Sequence, residues 1–341
     1  MRTIKLLVLL IFLTSLTFAQ NTATVSSEGD RNRVEVNQSG NNISADVSQT
    51  GDDNTAGLLQ SGTGLVEADV DQSGNTNQAD VHQHASSGHT FTLIRVIGDD
   101  NTTNVEQGAN STSSQEQTGN YNTADVAQGG SGSQLSEAQQ TQSGHHNRAA
   151  IDQDWAPKGH AARQEQSGSH NESYITQRQG YNTARNDALV HQLGNDNYAE
   201  VEQTFGGVQS ATGPEDMINK VVLEQMDDDN RAWIRQVGDK NQVNLHQRDN
   251  SYADIDQQGL NNVIQGVNGD PFARQYDGSI MTAGQLGNGN VLNAYQDSGS
   301  SATIMSQGNQ NQVILYQTGA AHSINVSQTG NDQLTEIIQT P

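Results

Sequence analysis

Primary amides are the functional groups that this sequence repeats at fixed spacing. Gln49-Thr50-Gly51-Asp52-Asp53-Asn54-Thr55-Ala56-Gly57-Leu58-Leu59-Gln60 reduces to Gln-x-Gly-x-x-Asn-x-(Ala/Val)-x-(Val/Ile/Leu)-x-Gln, and the phrase starts again at Gln72, Gln117, Gln142, Gln192 and Gln236. An amide side chain carries donor hydrogens and an acceptor oxygen. Copies held in register bond to one another along an axis, so the expected chemistry is a ladder and not a reaction. Its rungs are expected at Gln38, Gln49, Asn54, Gln60, Gln72, Asn77, Gln83, Gln117, Asn122, Gln128, Gln142, Asn147, Gln153, Gln192, Asn197, Gln203, Gln236, Asn241 and Gln247. Gly51, Gly74, Gly119, Gly144, Gly194 and Gly238 fall where a tight corner needs positive φ.

Residues suited to other chemistry are not spaced for it. His82, His145, His146, His191 and His246 fall on outward or turn positions and His84 and His89 in a loop, with no metal-binding pair or triad order, so they are expected to be solvated. Asp99-Asp100 and Asp227-Asp228-Asp229 offer carboxylates to Ca²⁺, but the turn positions vary from copy to copy and no repeated ligand spacing emerges. No metal, cofactor or catalytic site is expected. Trp155 and Trp233 read as loop or face packing, and Tyr121, Tyr181 and Tyr198 fall in or beside turns. Asp46, Asp80, Asp125, Glu200 and Glu202 read as outward charges that keep the sides soluble.

A ladder needs strands to hold it. Gln38, Gln49, Gln60, Gln72 and Gln83 are 11 or 12 residues apart, and each interval holds a Gly-centred turn and an alternating run. About seven residues of strand span about 23 Å. Asn32, Val34, Val36 and Gln38 share one face, and Arg33, Glu35 and Asn37 the other. Alternate strands differ. One class opens with Asn, at 32, 54, 77, 101, 122, 147, 171, 197, 241, 262 and 290. The other often opens with Ser six residues before its Gln: Ser111 and Gln117, Ser136 and Gln142, Ser251 and Gln257, Ser279 and Gln285, Ser301 and Gln307. A strand-turn-strand-turn coil of about 22 residues explains both classes, each stacking on its own kind one coil later.

The fold expected is therefore all-β: a β-solenoid of two facing parallel sheets, amyloid-like, over residues 20–341 in about fourteen coils. The rhythm breaks at 84–93, 129–134, 154–160, 204–218 and 268–278, segments expected to bulge from corners, with 204–218 open to reading either as a long corner loop or as an eroded strand. Gln333, Thr335, Ile337 and Gln339 close the array, and without a polar cap at either end it is expected to offer an open strand edge.

Composition supports this and removes several function classes. With 32% hydrophobic and 4% aromatic residues and 34 Gly in 341, two ordinary oily domains cannot be built. Strict periodicity argues against disorder, which needs no Gln at fixed spacing. There is no Cys, so stability must come from hydrogen bonding and stacking. A formal charge of -23 argues against nucleic acid or an anionic membrane as partner. Residues 1–19, with Arg2 and Lys5 before the apolar run Leu6 to Leu13, read as a secretory signal peptide, too short in its apolar part to span a bilayer. The mature chain is expected outside the cell.

Ser111, Gln117, Gly119, Asn122, Ala124 and Gln128 match every fixed position of Ser-x5-Gln-x-Gly-x-x-Asn-x-Ala-x3-Gln, as do Ser136, Gln142, Gly144, Asn147, Ala149 and Gln153. In this the chain resembles the curlin repeats of curli amyloid fibres. The resemblance implies an exported subunit that self-assembles as a homopolymer in the biofilm matrix and serves adhesion and cell aggregation. It also implies an outer-membrane secretion channel and a nucleating homologue as partners. The Gly-rich segment that follows the signal in familiar curlins is not seen, and the array is longer than their few repeats, so a nucleator or accessory role stands beside that of the major subunit.

A monomeric solenoid adhesin is the second class of function, binding ice or polysaccharide. Ice binding calls for a flat array of Thr, whereas Thr22, Thr24, Thr55 and Thr123 are scattered. A polysaccharide-degrading solenoid would show a local cluster of Asp with Arg or Lys that breaks the repeat, and no enzyme is expected.

Overall fold

The computed structural model describes residues 21–85, 87–129, 136–154, 159–178, 185–204, 218–319 and 322–341. The expected signal peptide, Trp155 and Tyr181 lie outside them, as do parts of four of the expected insertions. The fold is an all-β solenoid with parallel sheets, and the chain divides into two compact units, Met1–Ala161 and Ala162–Pro341.

The first unit contains β1 (Thr22–Glu28), β2 (Arg33–Gly40), β3 (Ile43–Thr50), β4 (Thr55–Gly62), β5 (Leu65–Ser73), β6 (Gln78–Ala85), β7 (His89–Ile97), β8 (Thr102–Gln107), β9 (Ser111–Asn120), β10 (Thr123–Gln128), β11 (Ser136–His145) and β12 (Arg148–Gln153). Odd strands form one sheet and even strands the other, each strand pairing in parallel with the strand two later. The register is in phase with the repeat: Ala56 lies opposite Ala79, Leu58 opposite Val81 and Gln60 opposite Gln83. Every second side chain points between the sheets. Ala124, Val126 and Gln128 are buried, while Thr123, Asp125 and Ala127 between them face outward. Burying one Val or Leu contributes about 1.5–3 kcal/mol, so this thin core adds a little at every coil.

The second unit begins with β13 (Ala161–Ser169) and β14 (Glu172–Arg178), then β15 (Arg185–Leu193), β16 (Tyr198–Thr204), β17 (Ile218–Met226), β18 (Arg231–Asp239), β19 (Gln242–Arg248), β20 (Tyr252–Leu260), β21 (Val263–Gln265), β22 (Ala273–Gln275), β23 (Ile280–Asn288), β24 (Val291–Gln296), β25 (Ser301–Gln307), β26 (Gln312–Gln317), β27 (Ser323–Thr329) and β28 (Leu334–Gln339). One sheet runs β13-β15-β17-β19, then β21 with β22, then β24-β26-β28; the other runs β14-β16-β18-β20-β23-β25-β27.

Four expectations are corrected here. His84 and His89 are not in a loop: β6 runs through His84 to Ala85 and β7 begins at His89, so most of the break read at 84–93 is strand. The insertion read at 268–278 does not leave from a corner. It interrupts a strand, because β21 and β22 both pair with β19, at Val243↔Ile264 and Leu245↔Ala273, and residues 266–272 bulge outward between them. The two strand classes also do not keep to one sheet each. Asn171, Asn197 and Asn230 open the strands of one sheet, which continues with Ser251 and Ser279. Asn219, Asn241, Asn262, Asn290 and Asn311 open the strands of the other. The exchange is tolerated because Ser251 takes the corner with its backbone N–H donating to the side-chain Oδ1 of Asn230, as the N–H of an Asn there would. Finally, Ser301 and Gln307 are one residue out of phase. Gln285 pairs with Ser306, so Gln307 faces outward, and a one-residue slip in a strand reverses every side chain.

The corners use two special conformations. Gly51, Gly74, Gly119, Gly144, Gly194 and Gly238 have φ between 113° and 124°. At Gly119 a Cβ would also stand 1.9 Å from the Gly144 carbonyl oxygen of the next coil. The residue before each corner Asn is left-handed whatever its type: Asp53, Thr76, Tyr121, His146, Asp196 and Lys240 have φ of 55–58°. The cost, about 1–2 kcal/mol for a non-Gly residue, is offset by coil-to-coil backbone bonds such as Asp53 N–H to Asp30 O at 2.9 Å.

Candidate functional site

The inward Gln and Asn columns are the most repeated polar feature of the structure. Gln38 is half-exposed. The other expected rungs, including Asn54, Asn77, Asn122, Asn147, Asn197 and Asn241, are at most 2% exposed.

Where the column is unbroken, a Gln amide typically does two things. Its Nε2 donates to the Oε1 of the Gln one coil later: Gln38 to Gln60 at 3.1 Å, Gln60 to Gln83 at 2.8 Å, and Gln128 to Gln153 at 2.8 Å. The same nitrogen donates across the core to a backbone carbonyl at the start of the facing strand: Gln60 to Ser44 O, Gln128 to Thr112 O and Gln153 to Glu137 O. The columns therefore tie coil to coil and sheet to sheet. In the second unit Gln192, Gln225, Gln247, Gln275, Gln296, Gln317 and Gln339 form one column, with links of 2.7–3.3 Å. Gln203, Gln236, Gln257 and Gln285 form the other.

Every one of these links runs from the earlier coil to the later. The ladder has a direction, and where a rung is missing the next Oε1 loses its donor. Gln49 follows Ser27, Gln115 follows Ile94 and Gln117 follows Val96, and among the described residues these are the three glutamines whose buried Oε1 has no partner. A buried amide left so costs about 1–3 kcal/mol. Sequence spacing did not single out Gln115 and Gln140, which form a second inward rung at 2.9 Å within β9 and β11. Their alternation with Gln117 and Gln142 is the signal that would have found them. Gln107, between Gln83 and Gln128, was equally visible at the same interval.

The Asn column fastens the corners. Asn77 donates its Nδ2 to Gly98 O at 2.7 Å, and its Oδ1 accepts the Asn101 backbone N–H at 3.1 Å. Asn122 does the same toward Gly144 and Asn147. Asn77 and Asn122 thus hold the glycine corner and the strand start of the next coil.

The outer faces carry charge and rings. In-register Asp46 and Asp69 are neighbours on adjacent coils, and partial burial, with Asp46 and Asp71 nearby, pushes the Asp69 carboxyl up. At consecutive corners Arg31 binds Asp53 and holds that carboxyl down. Tyr174, Tyr198, Trp233 and Tyr252 pack in a row with ring centroids 5.9, 5.0 and 5.3 Å apart. Partial burial and a bond to Glu200 push the Tyr198 hydroxyl up to about 12.

His246 is not the solvated residue that its outward position suggested. It is 7% exposed, its Nδ1 lies 3.0 Å from the Glu224 carboxylate, and the edges of Phe272 and Tyr276 close over it. The mid-strand insertion does this, with Arg274 binding Asp270 and the Tyr276 hydroxyl. Among the described residues no group of three or more His, Asp or Glu is arranged to hold a metal ion, and no helix is long and apolar enough to cross a membrane.

These features define a parallel β-solenoid laced by directional amide ladders. Compared with models of known protein families the chain matches none, and no curated protein matches it.

Proposed function

We propose that the chain is a structural subunit of an extracellular, curli-type amyloid fibre, exported through the signal peptide and an outer-membrane channel and started by a nucleating homologue. It polymerises with itself and contributes to a biofilm matrix, adhesion and cell aggregation, without catalysis or cofactor. The observation that carries this reading is the direction of the Gln ladder. Gln38 has no preceding rung and Gln339 no following one among the described residues, while Gln38 donates to Gln60 and Gln339 accepts from Gln317. The first and last described strands, β1 and β28, each have one neighbour in their sheets. A second copy extends the backbone pairing of both sheets in one polarity, β1 on β28 and β2 on β27, at the spacing of about 4.8 Å that stacked strands keep. It sets Gln38 in line with Gln328 and continues that amide column, while Gln339 meets Ser27, whose hydroxyl stands in the Gln position.

The test is polymerisation of purified residues 20–341. The expected outcome is a lag that seeds shorten, amyloid-dye binding and a meridional reflection near ~4.7 Å. A chain that stays monomeric for days at high concentration with seeds present refutes the fibre and leaves the solenoid intact.

A further inference from the structure

The outer face of one sheet in the second unit loses its charge along the chain. In β24, β26 and β28 the outward residues stand in register in three rows, Val291-Gln312-Leu334, Asn293-Ile314-Glu336 and Tyr295-Tyr316-Ile338, so six of the nine are apolar or aromatic. Leu334 and Ile338 are 65% and 63% exposed, and the other four of the six are half-exposed. Tyr295 and Tyr316 stack at 5.0 Å with their planes 22° apart. Glu336 is the one charge facing outward from these three strands. After Arg274 the sequence contains no Lys or Arg and only Asp277, Asp297, Asp332 and Glu336 as acids.

We propose that this face is a lateral interface on which a second copy of the same chain seats the same face. Charge selects the occupant. A strongly basic partner finds almost no counter-charge here, and its attraction lies elsewhere on a chain of formal charge -23. A second copy is repelled by outer surfaces such as the one bearing Asp46, Asp69 and Asp71, and here it is not. Two copies of one flat sheet face are self-complementary about a two-fold axis, and packed sheets stand about 10 Å apart. Three strands about 4.8 Å apart and six residues of about 3.3 Å cover roughly 300 Å². That is under half of the ~800 Å² that each partner gives to a standard interface. A single pair is therefore weak, and the contact strengthens when copies are repeated along two fibres. That strengthening rests on the fibre reading; the contact itself does not.

The chain has no Cys, so one introduced thiol reports on one position. Ile314→Cys places it at the centre of the patch, and Thr303→Cys places it on the outward side of the other sheet. With a short bis-maleimide, at high concentration and again in fibres, Ile314→Cys is expected to give about tenfold more covalent dimer than Thr303→Cys. Equal yields overturn the interface. Ile314→Lys is expected to leave seeded elongation unchanged while paired filaments separate in electron micrographs, and pairing that persists also overturns it. Because the cross-link is read on soluble chain too, a chain that never elongates refutes the fibre reading while the cross-link still decides this one.

Discussion

Gln117 lies directly over Val96 in the adjacent coil, and its buried Oε1 has no hydrogen-bond partner. Val96 also follows Gln72, whose Nε2 then donates only across the core to Thr55 O. One valine thus breaks a column of the first unit. Val96→Gln supplies the missing donor and acceptor at once. It is expected to raise stability by about 1 kcal/mol, the net worth of the restored bonds less the lost apolar contact. Urea unfolding of the monomer measures this, and a lower midpoint contradicts the directional ladder.

Gly119 and Gly269 separate two uses of glycine. At Gly119, φ is 114° and an added Cβ meets backbone oxygen of the next coil; at Gly269, φ is 83° and nothing lies within 4 Å. Gly269→Ala is expected to cost only conformational strain, about 1–2 kcal/mol. Gly119→Ala must in addition push two coils apart, and is expected to lose the cooperative transition of the first unit. Similar midpoints for the two variants would show that corner spacing is softer than the contact implies.

Much of this architecture is legible in the sequence because inward positions admit few side chains. Gln60, Gln83, Gln107 and Gln128 recur at intervals of 23, 24 and 21 residues because each must meet the amide before and after it. The left-handed position before Asn is not legible. Asp53, Tyr121 and Lys240 share no chemistry, since that conformation is stabilised by backbone pairing between coils and the side chains point to solvent. The exchange of Asn between sheets is hidden because Asn219, Asn230 and Asn241 follow at half-coil spacing, so counting by interval passes through it without a signal. The burial of His246 depends on Phe272, 26 residues later in the chain, and no local pattern announces that contact.

Asp69 gives the outer face a pH dependence. Its carboxyl is pushed above the ordinary value of 3.8, first by burial, then by Asp46 and Asp71. The folded state therefore holds this proton more tightly than the unfolded state does, and ionisation of Asp69 opposes folding as pH rises through the ordinary Asp value to the raised one. Below that window the penalty is absent. Asp69→Asn is expected to be more stable than the parent at neutral pH, with the difference vanishing in acid. Paired unfolding curves from pH 3 to about pH 7 measure this. A difference that grows in acid would reverse the assignment.

Gln128 decides whether hydrogen bonding or volume holds the coils together. Its amide receives Gln107 and donates to Gln153 and to Thr112 O, all within 3.1 Å. Gln128→Ala leaves those partners unpaired and opens a cavity, an expected loss of about 3–5 kcal/mol. Gln128→Leu fills most of the cavity but restores none of the bonds. If the ladder dominates, Leu is nearly as costly as Ala, and Gln38→Ala, at a half-exposed rung that water can solvate, costs under about 1 kcal/mol. If Leu recovers most of the loss, the column is an ordinary packed core written in Gln, and slowed seeding in a Gln117, Gln142 and Gln192 triple Ala variant would reflect lost volume instead of lost rungs. The ordering of the three single variants in urea, read before any fibre is grown, separates the two accounts.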